Sequence, residues 1–90
     1  MKISEEKTLK IFEQILAYLF SVSPRPVFTL EIARELARDE EFMKKLLLDL
    51  KKKKLITEIK KSPKGNPYLR RSRWKMTDEA YTAYKKKLPS

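Results

Sequence analysis

The stretch from Thr29 to Ile56, TLEIARELARDEEFMKKLLLDLKKKKLI, decides the fold of this chain. Its apolar spacing predicts two helices joined by a tight turn and followed by a short strand. On the first helix Ile32, Ala33 and Leu36 share a face, and the small Ala33 lets a second helix cross close by. The second helix starts at Asp39. Phe42, Met43, Leu46, Leu47 and Leu50 fall within one arc when each residue turns about 100°. Asp39 is a good N-cap, and Glu40 and Glu41 suit the positive end of the helix dipole. Leu55-Ile56 is an apolar pair that starts a strand.

Upstream, Ser4 is expected to cap a first helix over about residues 4–22, with Glu5 and Glu6 in its first turn. Leu9, Phe12, Ile15, Leu16, Leu19 and Phe20 form one stripe at helical spacing. Ile11, Tyr18 and Val22 widen the apolar arc to roughly 200°, about twice what a helix at the edge of a small domain needs. Two readings follow: a central helix covered on several sides, or a surplus face that joins a second copy. The second is favoured. Ser23-Pro24-Arg25-Pro26 ends the helix, Val27-Phe28 is a short extended piece, and Thr29 caps the next helix.

Downstream, Leu55 to Lys60 reads as a strand. SPKGNP, residues 62–67, concentrates turn formers. Tyr68 to Met76 is a second strand, with Trp74 and Met76 on one face and Arg71, Arg73 and Lys75 on the other. Trp74 is therefore core. Thr77 caps a last helix over about 77–88, whose stripe is Ala80, Tyr81, Tyr84 and Leu88. Lys85, Lys86 and Lys87 stand in its last turn, where cations suit the dipole. Ninety residues make one expected domain, 1–90, with the helix pair at about 29–53 and the hairpin at about 55–76.

Composition narrows the chemistry. The chain has no cysteine and no histidine, so disulfides, cysteine-ligated metals and the commonest general base are excluded. A single glycine, Gly65, is too few for a P-loop or a dinucleotide fingerprint. No enzyme activity and no cofactor are expected. The longest apolar run, Ile15 to Phe20, is far too short to span a bilayer. With Glu5 and Glu6 near the start and no long apolar stretch, neither a signal peptide nor a membrane partner is expected, and the cytoplasm is the expected location. The net charge of +10 is unevenly placed. Residues 1–50 hold 8 basic and 9 acidic side chains, whereas 51–90 hold 14 basic and 3 acidic. That asymmetry points to a polyanionic partner. One Asn and one Gln against 22 Lys and Arg fit the surface of a thermophile's protein.

From about Thr8 to Leu88 the chain resembles small winged-helix DNA-binding proteins of the MarR/PadR type. The residues that carry the resemblance are TLEIARELA (29–37), Leu47 and Leu50 ahead of Leu55-Ile56, and RRSRWKMTDEA (70–80). The resemblance implies a winged helix-turn-helix, mainly α with a small antiparallel β-hairpin, whose second helix of the pair enters the major groove. It departs from the family pattern at three places. Lys54 and Ala80 stand where glycine is usual, and the presumed recognition helix opens on Asp39-Glu40-Glu41.

Under that resemblance the nucleic-acid-binding candidates on the long helix are Lys44, Lys45, Leu48 and Lys52. The lysines can reach phosphates or bases, and Leu48 can touch a thymine methyl or a protein partner. In the wing the candidates are Lys60, Lys61, Lys64, Arg70, Arg71 and Arg73, a basic set with no intervening acid. Charged residues also protect exposed sheet edges, which is the competing reading of the wing. The expected function is binding of double-stranded DNA with modest sequence preference, in transcription regulation or genome maintenance. The expected assembly is a homodimer through the first or last helix. The alternative is a protein-interaction module docking on a larger replication or transcription protein, with RNA binding a third option.

Overall fold

A computed structural model of the chain describes residues 5–60 and 72–87. In order they form α1 (Glu5–Val22), β1 (Val27–Phe28), α2 (Thr29–Glu35), α3 (Glu40–Lys52), β2 (Ile56–Ile59), β3 (Arg73–Met76) and α4 (Asp78–Lys87). Ser4, the expected first cap, and residues 61–71 and 88–90 lie outside the described residues.

The helix pair forms as its spacing predicts. Ile32 and Ala33 of α2 are buried against Met43, Leu46, Leu47 and Leu50 of α3 in one core. Phe42 is half-buried and packs at the margin of that core. Asp39 caps α3, its carboxylate accepting from the Phe42 backbone N–H at 3.0 Å. The turn between the helices is made by Ala37 at φ 54°. The N–H of Ala37 donates to the Arg34 carbonyl and that of Arg38 to the Ala33 carbonyl. Those two bonds satisfy carbonyls that a helix end otherwise leaves without partners. α3 ends by the same device. Lys54 lies at φ 63°, with its N–H on the Lys51 carbonyl and the Leu55 N–H on the Leu50 carbonyl.

Thr29 was expected to cap α2 and instead is its first residue, with Phe28 in the cap position. Phenylalanine has no acceptor to offer the first turn. The Glu31 carboxylate reaches back to the Phe28 backbone N–H at 3.4 Å, one half of a capping box. The Thr29 hydroxyl is used elsewhere. It accepts from the indole N–H of the fully buried Trp74 at 2.8 Å. An indole donor buried without a partner would cost free energy, so this bond lets a tryptophan occupy the core.

The hairpin is present as β2 and β3, antiparallel, with Ile56 opposite Met76 and Glu58 opposite Trp74. Among the described residues β3 runs from Arg73, with Ser72 just before it. Tyr68 to Arg71, also expected in this strand, and the expected turn at 62–67 lie outside the described residues. The short extended piece β1 adds a third strand, Val27 opposite Trp74, giving the order β1-β3-β2. One face of this sheet is apolar apart from Glu58, which shares it with its cross-strand partner Trp74. Val27, Ile56, Trp74 and Met76 are buried with Ile11, Ile15 and Leu19 of α1. Thr77 caps α4, its hydroxyl accepting from the Ala80 N–H at 3.2 Å.

α1 buries a different line from the expected stripe. Ile11, Ile15 and Leu19 enter the core, Phe12, Leu16 and Phe20 are half-buried, and Leu9 is 59% exposed. The buried line lies about one residue over from the expected stripe, toward Ile11. Phe20 stacks on Tyr81 and meets Tyr84 of α4, both at ring-centroid distances of 4.8 Å.

Candidate nucleic-acid interface

The burial pattern of α3 leaves one face to solvent. Glu40, Glu41, Lys44, Lys45, Leu48, Asp49, Lys51 and Lys52 are all exposed. Leu48 is 38% exposed and shares a shallow hollow with Lys45, Asp49, Lys51 and Lys52. Lys44 faces a second hollow nearer the start of α3, lined also by Phe28, Thr29, Glu40, Glu41 and Ser72. The four helix candidates thus share a solvent face but divide between a basic end and an acidic end. No carboxylate among the described residues forms a salt bridge with Lys44, Lys45 or Lys52.

The wing candidates fare differently. Lys60 is exposed at the end of β2. Arg73 is half-buried in the central strand, with Phe28 opposite it on one side and Ile59 on the other. Lys61, Lys64, Arg70 and Arg71 lie outside the described residues.

Glu58 joins these parts and was not among the residues singled out from the sequence. Its side chain is 5% exposed. Lys51 donates to Glu58 Oε1 at 2.8 Å, Lys60 Nζ lies 3.9 Å from the same oxygen, and the Ser72 hydroxyl donates to Oε2. Burial pushes the Glu58 carboxyl up. The hydrogen bonds from Lys51 and Ser72 and the charges of Lys51 and Lys60 outweigh that, holding it below the ordinary 4.5. A signal was available: between Asp49 and Asp78 the sequence contains one acid, Glu58, among eleven basic residues.

Among the described residues no group of acidic side chains could hold a metal ion. No helix among them is long and apolar enough to cross a membrane.

No protein-family model and no curated protein matches the chain. Solved structures do. The complex of Staphylococcus aureus MepR with DNA superposes with a TM-score of 0.67 at 23% identity, over 92% of this chain and 54% of that one. A ZitR variant from Lactococcus lactis gives 0.61 at 19%, over 81% and 47%. The PcaV transcriptional regulator of Streptomyces coelicolor, solved with its natural ligand, gives 0.62 at 16%, over 92% and 51%. The chain spans about half the length of these proteins. At such identities the likeness is one of fold: the chain shares the winged helix-turn-helix fold of these structures.

Proposed function

We propose that this chain binds double-stranded DNA and acts in transcription regulation or genome maintenance, with α3 facing the major groove and the hairpin beside it. The observation that carries the reading is the outer face of α3. Three lysines without carboxylate partners among the described residues flank an exposed leucine on the second helix of a helix-turn-helix. Lys44, Lys45 and Lys52 supply phosphate contacts, and Leu48 offers apolar contact to a base. Lys60 and Arg73 extend the basic surface onto the sheet, and by sequence alone the proposal includes Lys61, Lys64, Arg70 and Arg71. MepR, which has been solved with DNA, shares the fold. The reading is of a binding protein rather than an enzyme, and the basic second half of the chain gives it a phosphate-dominated, weakly sequence-selective affinity.

A gel-shift series against duplex DNA, single-stranded DNA and RNA tests this directly. Duplex is expected to bind best, with log affinity falling linearly in log salt. Neutralising Lys44, Lys45 and Lys52 together should weaken all duplex sequences alike and reduce the salt slope by about 0.9 for each phosphate no longer neutralised. Neutralising Arg70, Arg71 and Arg73 should do the same. No preference for duplex, or triple variants that bind as tightly as the natural chain, would overturn the reading. Capture of a replication or transcription protein that survives nuclease treatment would favour an interaction module in its place.

A further inference from the structure

Among the described residues, Glu58 is the one carboxylate that touches both the end of α3 and the two strand ends that frame the hairpin connection. Lys51 reaches it from the last turn of α3, Lys60 from the end of β2, and Ser72 from the approach to β3. The acid itself is 5% exposed, but the lysine side chains above it are 46% and 68% exposed. Lys51 also borders the hollow that holds Lys45, Leu48 and Lys52, so the cluster is continuous with the basic face of α3. A lysine ammonium has three N–H donors. One directed at Glu58 leaves two for a second acceptor.

We propose that Glu58 is a positioning residue of the DNA interface: its buried carboxylate holds Lys51 and Lys60 side by side as a ready-made phosphate contact at the junction of α3 and the hairpin. The proposal rests on the DNA-binding reading above. Its physical basis is the entropy of long side chains. A free lysine loses rotamer freedom when it grips a phosphate, whereas one already held by a carboxylate has less to lose. The carboxylate also offsets the repulsion between two ammonium groups that would otherwise keep them apart.

A plain counter-charge would act in the opposite direction. Glu58→Gln raises the formal net charge from +10 to +11. If Glu58 only subtracts from the positive field, that variant binds a polyanion more tightly. If Glu58 positions the lysines, it binds less tightly despite the added charge.

The test is fluorescence anisotropy of a labelled random-sequence duplex at several salt concentrations and neutral pH. It uses the full chain as natural protein, Glu58→Gln and Glu58→Asp, with circular dichroism to verify folding. Aspartate keeps the charge but is one methylene too short to hold both lysines. Both variants are expected to bind roughly two- to thirtyfold more weakly. The salt slope should flatten by about 0.9 for each lysine that no longer grips a phosphate. In a Lys51→Met, Lys60→Met background, Glu58→Gln should cost nothing further. Tighter or unchanged binding by Glu58→Gln overturns the proposal, and so does weaker binding with an unchanged slope, which marks a purely structural role. If Glu58→Gln fails to fold, Glu58→Asp decides by the same criteria. If the natural chain does not bind duplex at any salt, the DNA reading falls and this one with it. Duplex binding by the natural chain and by Glu58→Gln alike removes only the role of Glu58.

Discussion

Lys54 and Ala37 carry the cost of two helix ends. Each has positive φ and a side chain. Left-handed backbone costs a residue with a Cβ about 1–2 kcal/mol. Glycine escapes that cost but loses about 0.4–1 kcal/mol more than alanine to the entropy of the unfolded chain. The relief exceeds the entropy cost, so Lys54→Gly and Ala37→Gly should each stabilise the fold by about 0.5–1 kcal/mol. The two ends are separate, so the gains should add. Urea unfolding of the two single variants and the double variant measures this. A loss at either position would mean that its side chain contributes more than the backbone conformation costs. Lys54 was legible in the sequence because the resemblance expects glycine there. Ala37 was not, since alanine is the best helix former and nothing in ELARDEE marks it as a turn. Thr29 misled for a similar reason. Threonine before an apolar run signals a cap, but here its hydroxyl serves Trp74, 45 residues away in the chain. Thr29→Val leaves the buried indole N–H without an acceptor and should cost about 1–3 kcal/mol, read as a lower urea midpoint.

At the scale of elements, α3 was the most legible part of the chain, because its apolar residues repeat for three turns and Asp39 marks its start. The strands of the hairpin were legible from β-branched residues and alternation, and Val27-Phe28 as an extended piece between the proline break and the next helix. The pairing of that piece with β3 as a third strand was not, since two residues carry no periodicity that names a partner. Tertiary contacts are what sequence spacing could not give, and the Glu58 cluster is one of them. It also makes a pH prediction. Because its folded pKa is depressed, the stability it contributes is full above the unfolded value and is lost as pH falls from there through the folded value. Acid unfolding of the natural chain should therefore include a component that Glu58→Gln lacks. Overlapping stability-versus-pH curves below the ordinary carboxylate range would count against it. The start of α3 poses a different conflict. Glu40 and Glu41 are exposed in its first turn, where each can stabilise the helix by about 0.3–1 kcal/mol. Near phosphates they repel, most strongly at low salt. Changing both to Gln should slightly destabilise the fold and tighten duplex binding at low salt, with the difference fading as salt rises. A fall in discrimination between duplex sequences would show that a carboxylate reads a cytosine amine. Unchanged affinity at low salt would place the start of α3 away from the DNA.

The molecule as a whole combines an apolar flank with a basic face, and the two bear on one question of assembly. Leu9 is 59% exposed, and Phe12, Leu16 and Phe20 are half-buried, along one side of α1. Tyr81 and Tyr84 of α4 meet that side through Phe20. A second copy of the chain packed there would bury apolar surface that one copy leaves in water. It would also present two α3 helices to one duplex, and two linked contacts bind far more tightly than one. Leu9→Glu separates the two effects, because a residue so exposed adds little to the core of a single copy. The natural chain is expected to sediment at micromolar concentration as a dimer of 10.7 kDa subunits. Leu9→Glu should sediment as a monomer with nearly unchanged thermal stability at equal subunit concentration below the dimer's dissociation range. Its duplex affinity should fall together with the salt slope, since half of the phosphate contacts leave with the second copy. Two results would refute the assembly. A 10.7 kDa species for the natural chain would remove the dimer altogether. A Leu9→Glu variant that still dimerises and still binds with the natural slope would move the interface off this side of α1, leaving its wide apolar arc to be explained by packing within one copy.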